Sequence, residues 1–386
     1  MSIRVNKKII QSVLPAGPSF VQGDEAAADG AIIAGCRFFA GYPITPSSEI
    51  MQRMVLRFGR TGGRFVQMED ELGSISAVIG AVWTGTKAMT ATSGPGFSLM
   101  MENVGYAVMT ETPMVLINIM RAGPSTGQAT RPAQGDVMQA RWGSHGGFPC
   151  IALAPASVQE MIDFTIRAFN LSEAYRVPVM VMSDEIVGHM RENCRYPEQV
   201  EVWDRYYSPG ETPFDTDHES LVPSMPRFGD GEDLLITGST HDPTGLRKAS
   251  DPEAQERMTW RLHSKLQRGR NEIVSVKSYG DPEPELLLVS FGSSSRAARE
   301  VVDELAGSGR KIGLLKLDTL WPFPDRELRQ AAAKAGRVLV VEANWGQVLH
   351  ETEHALSGTQ ASVMSHLRHD GEAITPSEVK AAVEAI

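Results

Sequence analysis

Cysteine is scarce: 386 residues contain three, Cys36, Cys150 and Cys194, far apart and with no CxxC spacing. That excludes a disulfide framework and gives the chain no ligand set for an iron–sulfur cluster of its own. Buried small apolar side chains are the simplest reading of all three. No apolar run approaches the ~18 residues that span a bilayer. Arg4, Lys7 and Lys8 stand near the start, but no signal-peptide core follows them. The expectation is a cytoplasmic protein without a membrane span. Basic residues are in deficit, 37 Lys and Arg against 47 Asp and Glu, for a net charge of −10. An acidic surface repels phosphate backbones and argues against a nucleic-acid partner. No His, Cys and carboxylate cluster has metal-ligand spacing, and no Ser-His-Asp set is suggested.

What is present is material for large cores, with 42% hydrophobic and 22% charged residues and 36 glycines. The length suits two domains. Apolar strand runs alternate with amphipathic segments. Phe38–Ala40, Phe65–Met68, Ala88–Thr92, Met114–Ile119, Ile151–Leu153 and Val177–Met182 read as strands. Helices are expected from Gly23 to Ala34, Glu71 to Trp83, Leu99 to Val108 and Ser157 to Glu173. That alternation predicts an α/β fold with a doubly wound parallel sheet. Residues 1–20 read as a lead-in with one short element, and the long stretch from Gly123 to Gly147 as a polar loop. Composition shifts near residue 196 towards Pro, Gly and charge, with a polar helix expected from Asp251 to Gln267. A second α/β unit starts at Glu285 with the run Leu286–Phe291. The expected division is 1–200, a connector at 201–281, and 282–386. Within the connector, Gly229-Asp230-Gly231 lacks both a preceding apolar strand and an Asn one helix later, and reads as a surface turn.

The organising stretch is Gly41-Tyr42-Pro43-Ile44-Thr45-Pro46-Ser47-Ser48, a loop feeding a helix start where free N–H groups favour a polar or anionic ligand. Downstream, Glu69, Asp70 and Glu71 precede a small apolar helix. On their own, three such acids read as stabilising a helix N-terminus. Ser93-Gly94-Pro95-Gly96 and Arg121-Ala122-Gly123-Pro124-Ser125-Thr126-Gly127 follow. These four motifs, in this order, resemble the pyrimidine-binding domain of the 2-oxoacid:ferredoxin oxidoreductases, which are thiamine-diphosphate enzymes. The region from 282 onward resembles their transketolase-C-terminal-like domain.

The resemblance implies roles by position. The acid-x-Gly pattern selects Glu71, ahead of Glu69, as the carboxyl group that shares a proton with the cofactor's aminopyrimidine ring. Such a group works best where low dielectric raises its pKa. Tyr42, Pro43, Ile44, Ser93 and Gly94 would line the cofactor. Thr45 would reach the substrate's keto or carboxylate oxygens, and Arg121 would bind the carboxylate beside the keto group. Arg131 is the candidate for a second, distal carboxylate. The plain alternatives are a turn hydroxyl for Thr45, a surface ion pair for Arg121 and a solvent-facing loop residue for Arg131. His145 is unassigned, and the 18 methionines read as gap-fillers.

The activity implied is oxidative decarboxylation of a 2-oxoacid, foremost 2-oxoglutarate, to acyl-CoA and CO2, with ferredoxin reduced. This chain would be the alpha subunit. A beta subunit would hold the diphosphate with Mg2+ and the [4Fe-4S] cluster, with gamma and small ferredoxin-like subunits as further partners. Coenzyme A and ferredoxin complete the set. The rivals are a branched-chain or aryl 2-oxoacid enzyme with the same cofactor, and a non-catalytic subunit that retains the fold.

Overall fold

Apolar runs buried on both faces form parallel strands, and here they assemble two α/β sheets. A computed structural model describes residues 3–307 and 309–386. The chain opens with β1 (Val5–Gln11), β2 (Gly17–Gln22) and α1 (Gly23–Ile33). β3 (Phe38–Gly41), α2 (Ser48–Thr61), β4 (Arg64–Gln67), α3 (Glu71–Trp83), β5 (Ala88–Thr92), α4 (Gly94–Met109) and β6 (Val115–Ala122) follow. Next come β7 (Gln128–Pro132), α5 (Val137–Trp142), β8 (Ile151–Leu153), α6 (Val158–Tyr175), β9 (Val179–Asp184) and α7 (Glu185–His189). β10 (Arg191–Tyr196) and β11 (Gln199–Arg205) end this unit.

After an irregular excursion the chain forms α8 (Pro252–Arg268), α9 (Arg270–Ile273), β12 (Val276–Gly280), β13 (Leu286–Ser290), α10 (Ser294–Leu305) and β14 (Ile312–Leu317). The last elements are β15 (Thr319–Trp321), α11 (Asp325–Ala332), β16 (Arg337–Glu342), α12 (Gln347–Leu356), β17 (Ser362–Leu367) and α13 (Pro376–Glu384).

The larger sheet has the order β15-β8-β9-β6-β5-β3-β4, with β7 hairpinned onto β6. From β8 to β4 every pair is parallel. β6 and β9 lie inside the sheet and are buried along their whole length, the polar Asn118, Arg121, Ser183 and Asp184 included. α1 packs on α2 and α6, and α3 on α4. The second sheet runs β12-β14-β13-β16-β17, parallel except for β12.

Four local expectations give way to tertiary pairing. Residues 1–20 hold two strands, not one element, because β1 pairs antiparallel with β11 and β2 with β10. Their partners lie too far along the chain for a local pattern to reveal them. The helix expected from Leu99 starts earlier: α4 begins at Gly94, with Pro95 in its first turn, where a missing N–H costs nothing. The stretch 123–147 contains β7 and α5. β12 precedes residue 282 yet belongs to the second sheet, and β15 follows it yet pairs antiparallel with β8 in the first. Gly229-Asp230-Gly231 is a turn with positive φ at both glycines and an Arg227–Asp230 ion pair.

The excursion is fastened from beneath by a buried charge cluster. Glu111 receives Arg261 at 2.5 and 2.9 Å and Lys265 at 2.8 Å, both from α8. Arg176 lies alongside, donating to the carbonyls of Pro213 and Ser224. Burial alone would raise the Glu111 pKa, but the charges of Arg261 and Lys265 hold it well below the usual carboxylate range. Burial lowers Lys265 to about 8.

Glu111 is the fully buried carboxylate facing three buried cations, with Asp215 3.8 Å from Arg261 at the margin, so the two sides of this cluster differ in cost. Glu111→Ala strands the cations and should destabilise by roughly 3–5 kcal/mol. Lys265→Met removes an excess charge and leaves one carbonyl short, a loss of about 1–3 kcal/mol. Denaturation midpoints of the two variants should fall in that order. The Glu111 contribution is full above the ordinary glutamate pKa of ~4.3 and is lost as pH falls towards the depressed folded value. Acid should therefore narrow the gap between Glu111→Ala and the parent protein.

Candidate functional site

Three parallel strands stop at one edge of the large sheet: β3 runs into the loop 42–47, β5 into Ser93, and β6 carries Arg121. The carboxyl edge of such a sheet is where ligands gather. Tyr42, Pro43 and Thr45 are exposed there, and Ile44 is half-buried. The loop between them is tied down through its own carbonyls. Ser47 donates its amide and its hydroxyl to the Ile44 carbonyl, both at 2.9 Å, so the hydroxyl does not cap α2. Arg121 Nη1 donates to the Thr45 carbonyl at 2.6 Å. His189 Nε2 lies 3.0 Å from the Pro46 carbonyl.

The three adjacent acids separate sharply. Glu69 is exposed, Asp70 caps α3 by accepting from the Gly73 amide at 2.7 Å, and Glu71 is buried. Burial pushes the Glu71 carboxyl up. No other described residue hydrogen-bonds it. It lies against Gly96 in the first turn of α4, where a Cβ would overlap both Glu71 and the Thr92 hydroxyl. Ser93 Oγ, next to Gly94, is buried and has no partner among the described residues. The result is a cradle with one protonatable acid and one free hydroxyl.

Arg121 is almost fully buried. Burial lowers its pKa, opposed by Asp136 at the start of α5. Asp136 accepts from Asn118 Nδ2 at 2.8 Å and is pushed up by burial, with Asn118 and Arg121 opposing. Arg121 Nε, Asn118 Oδ1 and Thr90 Oγ1 have no partner among the described residues. Beyond Arg121 the chain doubles back at Gly127, where a Cβ would overlap the Ala122 carbonyl, and so forms the β6–β7 hairpin.

Arg131 follows Thr130 on β7, beside Pro132, which pairs with Arg121 across the hairpin, yet its guanidinium turns elsewhere. It lies exposed on β7 and pairs with Glu372 of the second unit at 2.9 Å. His145 is also exposed, 3.5 Å from Glu102, at the rim of a cavity of ≈ 590 Å³. That cavity lies between α4, the segment 144–149 and α8, and none of its lining residues belongs to the edge just described.

Asn118, Asp136, Asp24 and His189 carry no role in the sequence reading. Asp24, in the first turn of α1, is fully buried with neither carboxylate oxygen hydrogen-bonded. Asp24, Glu49 and His189 bring one ligand-type atom each within 4.8 Å of one another, a proximity created by three separate elements. Their sequence separation gives no such signal. Among the described residues no helix is long and apolar enough to cross a membrane.

Residues 29–260 match the family described as pyruvate flavodoxin/ferredoxin oxidoreductase, thiamine-diphosphate-binding, and residues 284–379 match pyruvate:ferredoxin oxidoreductase core domain II. The 2-oxoglutarate synthase subunit KorA of Methanothermobacter thermautotrophicus is 52% identical over 364 residues, covering 93% of this chain and 96% of that one. KorA of Methanocaldococcus jannaschii is 49% identical over 94% of this chain and 98% of its own. Among solved structures, a 2-oxoglutarate:ferredoxin oxidoreductase from Magnetococcus marinus, with 2-oxoglutarate, coenzyme A and succinyl-CoA bound, superposes with a TM-score of 0.90 at 30% identity. The match covers 95% of this chain but only 65% of the Magnetococcus chain. This chain belongs to the pyruvate:ferredoxin oxidoreductase family, with the thiamine-diphosphate-binding domain followed by core domain II.

Proposed function

We propose that this chain is the alpha subunit of a 2-oxoglutarate:ferredoxin oxidoreductase, converting 2-oxoglutarate and coenzyme A to succinyl-CoA and CO2 with reduction of ferredoxin. The observation that carries the reading is Glu71: a buried carboxyl group with a raised pKa, left without a hydrogen-bond partner beside a cradle that only glycine permits. Such a group suits a heteroaromatic ring nitrogen. Thiamine diphosphate, when bound, supplies a nucleophilic carbon for the keto group and an electron sink for decarboxylation. Glu71 would hold the proton shared with the pyrimidine, and Tyr42, Pro43, Ile44, Ser93 and Gly94 would line the ring. Arg121 has one N–H committed to the Thr45 carbonyl and its Nε free, and it orients the substrate carboxylate with the Thr45 hydroxyl. The 2-oxoglutarate assignment draws on the names of the relatives that are about half identical over nearly the whole chain.

A beta subunit completes the site, holding the diphosphate, Mg2+ and the [4Fe-4S] cluster. Cys36 and Cys150 are buried with thiols pushed up to about 12, the wrong direction for thiolate ligands. Val66, Leu72 and Leu99, exposed on β4, α3 and α4, suit a protein interface. Ferredoxin as acceptor fits a cytoplasmic, heteromeric enzyme. The segments 1–200, 201–281 and 282–386 serve as pyrimidine-binding unit, connector and transketolase-C-terminal-like unit, with β12 and β15 crossing those limits.

The chain alone, supplied with thiamine diphosphate, Mg2+, coenzyme A and 2-oxoglutarate, should reduce no viologen dye and show no cluster absorbance. Both should appear on co-expression with the beta subunit, and turnover by this polypeptide alone would overturn the division of labour. In the reconstituted complex, Glu71→Ala should lower kcat by about 10²–10⁴ and abolish exchange of the cofactor's C2 proton, read by NMR. Glu69→Ala should stay active. If Glu69→Ala is the inactive variant, the acid is misassigned.

Arg131 is the distal-carboxylate candidate only if it leaves Glu372 when substrate binds. Losing a charged hydrogen bond costs about 1.5–3 kcal/mol, or roughly ten- to a hundredfold. Arg131→Ala should lower kcat/KM for 2-oxoglutarate by that factor and spare pyruvate. Glu372→Gln, which frees Arg131, should leave 2-oxoglutarate turnover intact or raise it. Equal losses on both substrates for Arg131→Ala would reduce Arg131 to a strut between the two units.

A further inference from the structure

His189 ends the short helix α7 and stands among three carboxylates from three helices. Its Nδ1 lies 3.3 Å from Glu185 Oε1 on its own helix, and its Nε2 3.6 Å from Glu49 Oε2 on α2. Asp24, from α1, faces the same point with both oxygens unpartnered and is fully buried. Glu25, beside Asp24, is taken up by Arg53 and Arg191. Nε2 is also 3.0 Å from the carbonyl oxygen of Pro46, on the loop that carries Thr45.

The protonation state follows from this geometry. A carbonyl oxygen only accepts, so the Pro46 contact requires a proton on Nε2. A carboxylate oxygen beside Nδ1 calls for a proton there as well. A neutral imidazole has one proton to give, and both nitrogens are engaged by acceptors. We propose that His189, doubly protonated, is a positioning residue that latches the Thr45–Pro46 loop to α7, with Glu185 and Glu49 as its counter-charges. The same engagement leaves no nitrogen lone pair for a metal ion, although the three side chains are close enough to suggest one.

The latch has little freedom to withdraw. A Cβ on Gly188 would lie 2.8 Å from Asp24 Oδ1 and 3.0 Å from Ile119 Cγ2, so α7 sits directly against α1 and β6. The Gly23 amide also donates to the Met190 carbonyl at 3.1 Å. Two cations thus hold consecutive carbonyls of the loop, Arg121 on Thr45 and His189 on Pro46. The bond to Glu185, with Asp24 and Glu49 nearby, raises His189 to about 9 despite partial burial. Its folded value lies above the ordinary ~6.5 of histidine. The stabilisation is therefore complete below that pH and is lost as pH rises through about 9, because the one remaining proton stays on Nδ1 beside the Glu185 carboxylate and Nε2 then turns a lone pair to the Pro46 carbonyl, a loss that an amide N–H does not suffer.

The link to catalysis rests on the loop being the substrate loop of the proposed enzyme; the latch itself does not. The test uses the reconstituted complex with His189→Ala, which removes the donor, and His189→Gln, which keeps an N–H for the Pro46 carbonyl without the charge. Hydrogen–deuterium exchange at pH 7 over residues 42–50 should quicken about tenfold in His189→Ala and stay near the parent rate in His189→Gln. KM for 2-oxoglutarate should rise about tenfold in His189→Ala with a smaller change in kcat, and recover in His189→Gln. The kcat/KM profile should fall on an alkaline limb near pH 9 in the parent and lose that limb in His189→Gln. Unchanged loop exchange in both variants, equal damage in both, or an alkaline limb that survives His189→Gln would overturn the proposal. So would Zn2+ raising the melting temperature of the full chain in a manner abolished by Asp24→Asn, since a metal ion would then occupy the latch. Loop exchange is read without turnover, so a complex inactive on 2-oxoglutarate would refute the functional reading while still testing the latch.

Discussion

β3, β5 and β6 pair in parallel with unbroken register, Phe38 opposite Ala88 and Met89 opposite Val115, so their carboxyl ends share one edge of the sheet. Each strand then delivers a different group to that edge: a loop with exposed backbone, a buried serine, and a guanidinium. Parallel order also makes every return journey a helix, and α3 and α4 are the returns that place Glu71 and Gly96 in contact. Reversing any of these strands would send its group to the opposite edge. β6 is buried along its whole length between β5 and β9, as a largely apolar strand at the centre of the sheet requires.

Burial sets the chemistry of the edge. Glu71, Asp136 and Asp24 are all pushed up by desolvation, yet each has different company. Asp136 is partly compensated by Asn118 and Arg121, Glu71 has no hydrogen-bond partner among the described residues beyond its own backbone, and at Asp24 the opposing charge of His189 is countered by Glu49, Glu185 and Glu25. A buried carboxyl without a partner prefers to keep its proton. Keeping it is useful where a ring nitrogen is to be met, as proposed for Glu71. The same preference at Asp24 leaves Glu49 and Glu185 as the acids in contact with His189. Similar burial therefore supports two different tasks, separated by what else faces the group.

Much of this was legible in the sequence, and the remainder was hidden for physical reasons. The strands at 88–92, 114–119 and 286–290 announce themselves as apolar runs, and Glu71 was singled out by its place before Gly73. Its neighbours needed coordinates to be told apart: Asp70 is a cap and Glu69 is in solvent, a distinction of burial that three consecutive acids do not display. β1 stayed ambiguous because Val5–Gln11 is largely exposed and has no alternation to read. β15 joins the first sheet from within the second unit, a pairing set by the β8 edge and not by its own three residues. Arg131 carries a charge that the sequence assigns to a substrate, while the fold offers it Glu372 first. His189 had no local signal at all, since its partners come from α1, α2 and the loop 42–47.

The second unit reaches the loop 42–47 through α7. Asp184 caps that helix by accepting from the Val187 amide at 3.1 Å, and its other oxygen accepts from Gln134 at 3.0 Å and from the Ser293 amide at 2.8 Å. Ser293 lies at the turn between β13 and α10, so a residue of the second sheet's first crossover helps fix where α7 starts. Gln134 is held in turn by Ser294 and by the amide of Ala343. Five residues after Asp184, His189 meets the Pro46 carbonyl. A helix this short has little internal cooperativity and cannot hold its direction alone. Its orientation comes from the polar junction at one end and from the close packing of Gly188 on Asp24 at the other. The two α/β units are therefore joined mechanically at the loop where substrate is expected, and the second unit can position that loop while contributing no side chain to it.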